Sequence, residues 1–554
     1  MTPLVPPELL VPPEIRTRGI DASDTARVLD HWLRRLAAQD ARCRTVLGRL
    51  ARAFLRRQGV QRLGFVRLDD YARERLGISG RELQSIASVA ARLAALPRLA
   101  AAFRDGALSW AQVRLLAPLA TPADEAEWLE HAAGRTTRAL EALIRSRGHT
   151  ADTPDDDEPS ARFRLRCSRR VRRLWGETVE LARSVAGAHL THAQAAEAIA
   201  AEGLSGEPAG DEVWPAMAPP PAPADWEEPP NAQLDWTAVR VALPADVDAL
   251  ADALDDVGVF SLDRRMRAAV RAMQQVDWQT GRLLRVFLDR RLHRAFGYRS
   301  AALYTRERLG LSPRKARVLV ALERKTWEAP ALDDAYRSGA LSSVRTLTVL
   351  PVVSESTAPA WIARATEVTV RRLADEVEWA LLGGETLPPA RGATLAPDER
   401  QMRARPVWEL EDVEIAFTGP ASVIALFRTA VLAFARPARS FSDGFERLLD
   451  HARRTWEGLP RHRDPVFARD GWRCAVPACT ARRELHDHHV VFRSQGGGNG
   501  RDNRITICAA HHLRGIHAGT VRASGTAPDE ITWELGVRTG KPPLLHLVGD
   551  AYVA

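Results

Sequence analysis

Apolar residues recur three and four positions apart along most of this 554-residue chain, in long Ala-, Leu- and Arg-rich segments. That is the period of amphipathic helices. Fixed signals break the segments: LGIS at Leu76–Ser79, LGLS at Leu309–Ser312, and GALS at both Gly106–Ser109 and Gly339–Ser342. Each closing serine predicts an N-cap, because its hydroxyl can accept from a free N–H of the helix that follows. Two stretches, FRLRC (Phe163–Cys167) and VEIAF (Val413–Phe417), alternate in character and predict one short strand in each half of the chain.

The helical pattern occurs twice. YARERLGIS (Tyr71–Ser79) returns as YTRERLGLS (Tyr304–Ser312), and FRDGALS (Phe103–Ser109) as YRSGALS (Tyr336–Ser342), both at one and the same offset. That offset also pairs RLARAFL (Arg49–Leu55) with RLLRVFL (Arg282–Leu288), so roughly 29–144 and 262–377 align without a gap. Weaker similarity continues through Arg162–Ala182 and Glu414–Phe434 at a larger offset, the difference being absorbed by unequal linkers. The fold expected is mainly α and multidomain: an extended arm over 1–18, one copy of a helical repeat over 19–205, and a Pro/Ala-rich acidic linker over 206–235. A second copy over 236–458 and a distinct C-terminal domain over 459–554 follow.

Composition narrows the partner. The net charge of +8 favours an acidic polymer, although the near-absence of lysine (Lys315, Lys325 and Lys541) is explained as well by a GC-rich genome as by phosphate recognition. No apolar run of membrane-spanning length and no secretion signal occurs, so the expectation is a soluble cytoplasmic protein without a membrane partner. No pattern in the sequence sets an oligomeric state. Cys43 and Cys167 stand alone and are expected to be buried and reduced.

The other three cysteines, Cys474, Cys479 and Cys508, fall close together, and six of the fifteen histidines lie between His486 and His517. Cys474 and Cys479 have the spacing of a knuckle presenting two thiolates to one ion, and Cys508-Ala-Ala-His511 offers a second pair. Together they form a Cys3His set suited to closed, tetrahedral, structural Zn2+. The alternative places His512 in that set and leaves His511 free. Only Val490, Val491, Phe492, Ile505, Ile507, Leu513 and Ile516 are expected to form the core there, so the region should need its metal to fold. TVRASG and ITWELG read as a closing hairpin.

The pieces HDHHVV, GGGNGRDN and ITICAAHHLRGIH resemble the HNH endonuclease domain, a ββα-metal fold. The resemblance implies metal-dependent hydrolysis of DNA phosphodiesters. His488, His512 and, as a third ligand, His517 would hold a catalytic divalent ion (Mg2+ or Mn2+, with Zn2+ or Ni2+ as alternatives). His489 would be the general base, and Asn503 the residue that holds the loop and orients that base. Neutral imidazole suits the task, since its pKa lies close enough to 7 to deprotonate a water. One departure stands out: His512 and His517 are five apart, roughly 140° around an ideal helix, where the family commonly uses four. Gly515 could break the helix and return His517 to the site.

The upstream layout resembles the helical repeat domain that often precedes HNH domains, and more faintly the helix-turn-helix region of ParB-type proteins. On the second likeness Arg314, Lys315 and Arg317 would begin a DNA-reading helix, and Arg461, Arg463 and Arg493 would add phosphate contacts near the nuclease. The alternative is a scaffold helix with solvated arginines. The function expected is a bacterial HNH endonuclease, nucleoid-associated when acting, whose repeats aid DNA binding. The rival reading is a non-catalytic nucleic-acid-binding or regulatory protein carrying a zinc-stabilised HNH module. Target, nicking against double-strand cutting, and biological role stay open.

Overall fold

The computed structural model describes residues 8–10, 22–147, 160–186, 190–204, 241–243, 247–383, 385–390, 393, 395, 413–435, 440–457 and 465–553. The expected linker over 206–235, most of the arm over 1–18, and Arg461 and Arg463 lie outside them. Within the arm, Glu8–Leu10 is a strand paired antiparallel with Val241–Leu243.

The chain is mainly helical and forms two compact units, each drawing on both halves of the sequence. One comprises Met1–Pro154, Val239–Pro406 and Asp464–Ala554; the other comprises Asp155–Ala238 and Val407–Arg463. The expected boundary at 205 falls inside the second unit, whereas the chain passes between units at 238/239 and 463/464, close to the expected 236 and 459.

In the first unit the long helices Ala22–Arg56 and Val259–Asp289 pack on each other, because each carries an apolar stripe along its whole length. The contacts around them are made twice. Tyr71 donates its hydroxyl to Asp263 at 3.1 Å, and Tyr304 donates to Asp30 at 3.0 Å. Arg75 pairs with the same Asp263 at 2.7 Å, and Arg308 with the same Asp30 at 2.8 Å. The tyrosines, arginines and aspartates all correspond at the offset of the sequence repeat. Gly77 and Gly310, at φ 73° and 67°, lie against Ser342 and Ser109, where an added Cβ would come within 2.2 and 2.5 Å. This reciprocity is the geometry of an isologous interface, made here within one chain.

The four expected caps form: Ser79, Ser109, Ser312 and Ser342 accept from the backbone N–H of Glu82, Gln112, Lys315 and Arg345. In one place the two halves differ in sign. Arg44 bonds Asp40 and Glu82 at 2.6 and 3.0 Å, whereas the residues that answer to Arg44 and Glu82 in the second half are Asp277 and Lys315, paired at 2.6 Å. A half facing a copy of itself would set like charges together there.

The C-terminal residues of this unit have no separate core. Cys474, Val476, Ile507 and Trp533 belong to one buried cluster with Leu47, Phe54 and Tyr71 from the first helical segment and Met266 and Met273 from the second. Two residues expected inside, Val491 and Leu513, are instead 45% and 60% exposed, because the helices have already supplied the apolar surface. The expected hairpin is part of a four-stranded antiparallel sheet of Val521–Thr526, Glu530–Leu535, Leu545–Val548 and Ala551–Tyr552.

The second unit is built on the two expected strands, which pair with each other. Ser160–Cys167 and Val413–Pro420 run antiparallel over their full length, with Phe163 opposite Phe417. Both rings pack with Phe427, Phe445 stacks on Phe163 and Trp175 on Phe417, while Arg162, Arg164 and Arg166 take the exposed side of the strand. No helix among the described residues is long and apolar enough to cross a membrane.

Candidate metal centre and histidine cluster

Cys474 and Cys479 come from a tight turn clamped by Cys474 N–H to the Ala481 carbonyl at 2.8 Å and Ala475 N–H to the Thr506 carbonyl at 2.7 Å. Cys508 ends the strand Arg504–Cys508, and His511 opens the helical turn that follows. All four residues are buried, with their ligand atoms within 4.8 Å of one another. The His511 Nδ1 lies 3.4 Å from the sulfurs of both Cys474 and Cys508, close to the edge of a tetrahedron built on Zn–S and Zn–N bonds of about 2.3 and 2.0 Å. It is thus His511, and not His512, that completes the set. Backbone N–H groups of Ala481 and His511 donate to the Cys479 and Cys508 sulfurs at 3.5 Å.

The electrostatics suit a dication. Hydrogen bonds from Cys474 and Cys479 push the Cys508 thiol far down against its burial, and the same contacts raise Cys479. Burial opposes charge on His511, yet Cys474 and Cys508 raise it to about 10. Thiolate and neutral imidazole are the forms that bind a metal, so loading one would release protons.

Both helical segments grip this turn. Asp70 accepts from the Thr480 N–H at 3.2 Å and from its hydroxyl at 2.7 Å. Arg371, nearly buried, donates one nitrogen to the carbonyls of Cys474, Val476 and Cys479 at 2.9, 3.1 and 2.9 Å and the other to Asp550 at 2.7 Å. Neither residue was singled out in the sequence, where each reads as one more charge on an amphipathic helix.

The histidines gather on the other side of the same strand pair. Leu485–His489 runs antiparallel to Arg504–Cys508, with His488 opposite Ile505 and His489 opposite Arg504. Period-two alternation sets His486 and His488 on one face. The His488 ring is 4.9 Å from that of His512 and 6.2 Å from that of His517, centroid to centroid, and the last two are 4.8 Å apart.

His517 reaches the group through a π-helical turn over His511–Ile516, in which its N–H donates to the His512 carbonyl at 3.1 Å. An i→i+5 turn brings residues five apart onto one face. The extra residue that looked like a departure is absorbed in this way, and the helix does not break at Gly515. Gly515 is buried where a Cβ would sit 3.3 Å from Val521.

Burial, followed by the neighbouring His512 and His517, lowers His488 to about 4, and His512 is lowered for the same kind of reason. Both are therefore neutral near pH 7, the form that can bind a cation. Among the described residues, however, only the Cys3His set brings its donor atoms within 4.8 Å of one another.

Asn503 holds the loop: its carboxamide accepts from the Val491 N–H at 2.8 Å and donates to the carbonyls of Val491 and Gly498 at 3.1 and 2.8 Å. The side chain that meets the His489 ring is Asn499, with Oδ1 2.9 Å from Nε2. His486 also went unassigned in the sequence, and its Nδ1 lies 2.8 Å from that of His512. Its position two residues before His488 on a strand was the available signal.

Of the proposed phosphate contacts, Arg493, Arg314 and Arg317 are exposed. Arg317 also bonds its own helix through the Pro313 carbonyl at 3.3 Å, and Lys315 is held by Asp277. Arg469 and Arg473, which precede the first cysteine of the cluster, pair with Asp470 and Asp375 at 2.7 Å.

No curated protein and no solved structure matches the chain. A family model described as a domain of unknown function (DUF222) matches residues 30–178, which take in the first helical segment together with the strand Ser160–Cys167 and part of the helix after it.

Proposed function

We propose that this protein is a metal-dependent HNH-type endonuclease acting on DNA, built as two copies of one helical domain followed by a zinc-stabilised nuclease module. The observation that carries the reading is the convergence of His488, His512 and His517 across the strand pair and the π-helical turn. His489 follows His488 on the same strand, and Asn503 braces the loop after it. The matched contacts of Tyr71 with Asp263 and of Tyr304 with Asp30 support the two copies.

His488, His512 and His517 suit a divalent ion with open positions for water and phosphate. Such an ion would offset charge on the phosphate and leaving oxygen. His489 would accept the proton of the attacking water, its ring oriented by Asn499. Cys474, Cys479, Cys508 and His511 would hold zinc and keep the turn carrying His512 against the strands.

A plasmid-nicking assay with Mg2+, Mn2+ and a chelator tests the reading. Activity should require the added ion and fall by about 10²–10⁴-fold in His489→Ala, the usual worth of a general base. Nicking by His489→Ala at the wild-type rate would exclude His489 as the base.

A further inference from the structure

A cleft of about 1160 Å3 opens in the first unit, lined by the first turns of the helices Gly80–Leu93 and Pro313–Glu328. Every acid on its wall is matched within the protein. Arg44 holds Asp40 and Glu82 at 2.6 and 3.0 Å, and Lys315 holds Asp277 at 2.6 Å. Asp105 and Glu307 have Arg104 and Arg306 at 3.3 and 3.6 Å. The cations are in excess. Arg34, Arg81, Arg114 and Arg314 line the same cleft, all exposed, and among the described residues none has a hydrogen bond or an ion pair.

Two of these four are related. Arg81 and Arg314 are equivalent positions of the sequence repeat, and each is the second residue of its helix after the capping serine. The free N–H groups of those first turns add partial positive charge beside each guanidinium. Arginines held without acids in a wet cleft are placed for bidentate contact with phosphate oxygens. The cleft is also more voluminous than a small-molecule pocket usually is.

We infer that this cleft binds the phosphodiester backbone of DNA, with Arg81 and Arg314 as equivalent phosphate contacts and Arg34 and Arg114 extending the track. The choice of DNA rests on the nuclease reading above. The cleft itself does not include the histidine cluster, so binding and cleavage can be measured apart.

The test uses the full chain and a fluorescent duplex oligonucleotide, followed by anisotropy across a salt series without added divalent ion. Wild type should bind, with affinity falling steeply as salt rises. Arg81→Ala/Arg314→Ala should weaken binding about tenfold or more and reduce the salt slope by about two, since each neutralised phosphate contributes about 0.9. Lysine at both positions should restore part of the affinity, and Arg114→Ala alone should show a smaller loss in the same direction. Unchanged thermal melting of these exposed-site variants separates lost contacts from lost fold. Wild-type affinity and slope in the double variant would overturn the assignment, as would a wild-type chain that binds no duplex. Displacement of the duplex by micromolar mononucleotide would overturn it in favour of a small phosphorylated ligand. Loss of nicking in His489→Ala with duplex binding intact bears on the nuclease alone.

Discussion

His511 donates its Nε2–H to the carbonyl of Gly64 at 3.2 Å, so a residue of the first helical segment decides which ring nitrogen faces the cysteines. Gly64 sits at φ 80° with the Gly536 nitrogen where a Cβ would come within 2.7 Å. The metal centre is therefore tied to backbone 447 residues away, and its state should be read through the stability of the whole unit.

Cys508→Ser and His488→Ala should separate the two clusters. The first should release about one equivalent of zinc and open the C-terminal region to protease, because structural zinc contributes folding energy directly. The second should keep both the zinc and the protease resistance while losing nicking. Metal analysis and limited proteolysis of the two purified proteins measure this. Equal zinc loss from both would mean that the histidines and cysteines form one site.

Arg371 should control zinc retention without being a ligand. Arg371→Ala removes the donor shared by three knuckle carbonyls and the partner of Asp550. A loss on the order of 3 kcal/mol follows from leaving buried acceptors unsatisfied. Lysine, lacking the guanidinium fork, should rescue only part of it. Zinc release to a chromogenic chelator, followed over time, should be faster in Arg371→Ala than in wild type.

Acid should weaken the fold through His488. The unfolded side chain takes a proton near pH 6.5, whereas the folded one stays neutral down to about 4. Between those values the unfolded chain binds more protons, so stability present above pH 6.5 is lost as pH falls toward 4. At about 1.4 kcal/mol per unit the contribution is at most roughly 3 kcal/mol. Urea denaturation of wild type and His488→Gln at pH 7, 6 and 5, without added divalent ion, should show a shallower pH dependence in the variant.

Lys315 should prove structural. Burial pushes the Asp277 carboxyl up while Lys315 opposes it, and burial likewise works against the Lys315 charge that Asp277 upholds. Lys315→Met strands a largely buried carboxylate, at a cost of about 2–4 kcal/mol. Adding Asp277→Asn should recover much of that loss. Full additivity of the two changes in thermal or urea melts would show that the pair is not coupled.

Local chemistry was legible before folding. The serine caps and the two alternating strands depend on residues within a few positions of one another, and each formed as read, while the Cys3His cluster joins two such local pairs. The reading of a duplication rests on two halves that align without a gap. His511 is the first choice from the spacing, with His512 as the alternative, and the tertiary structure decides between them: the His511 ring lies against both sulfurs and bonds Gly64. The approach of His517 needed it too, since a π-helical turn and an α-helical one share the same composition. The compact units, the shared core, and the grips of Asp70 and Arg371 on the knuckle are contacts between parts of the chain far apart in sequence. Helical periodicity says which face of a helix is apolar. It does not say which distant face will cover it, and that partnership is settled by packing and charge in three dimensions.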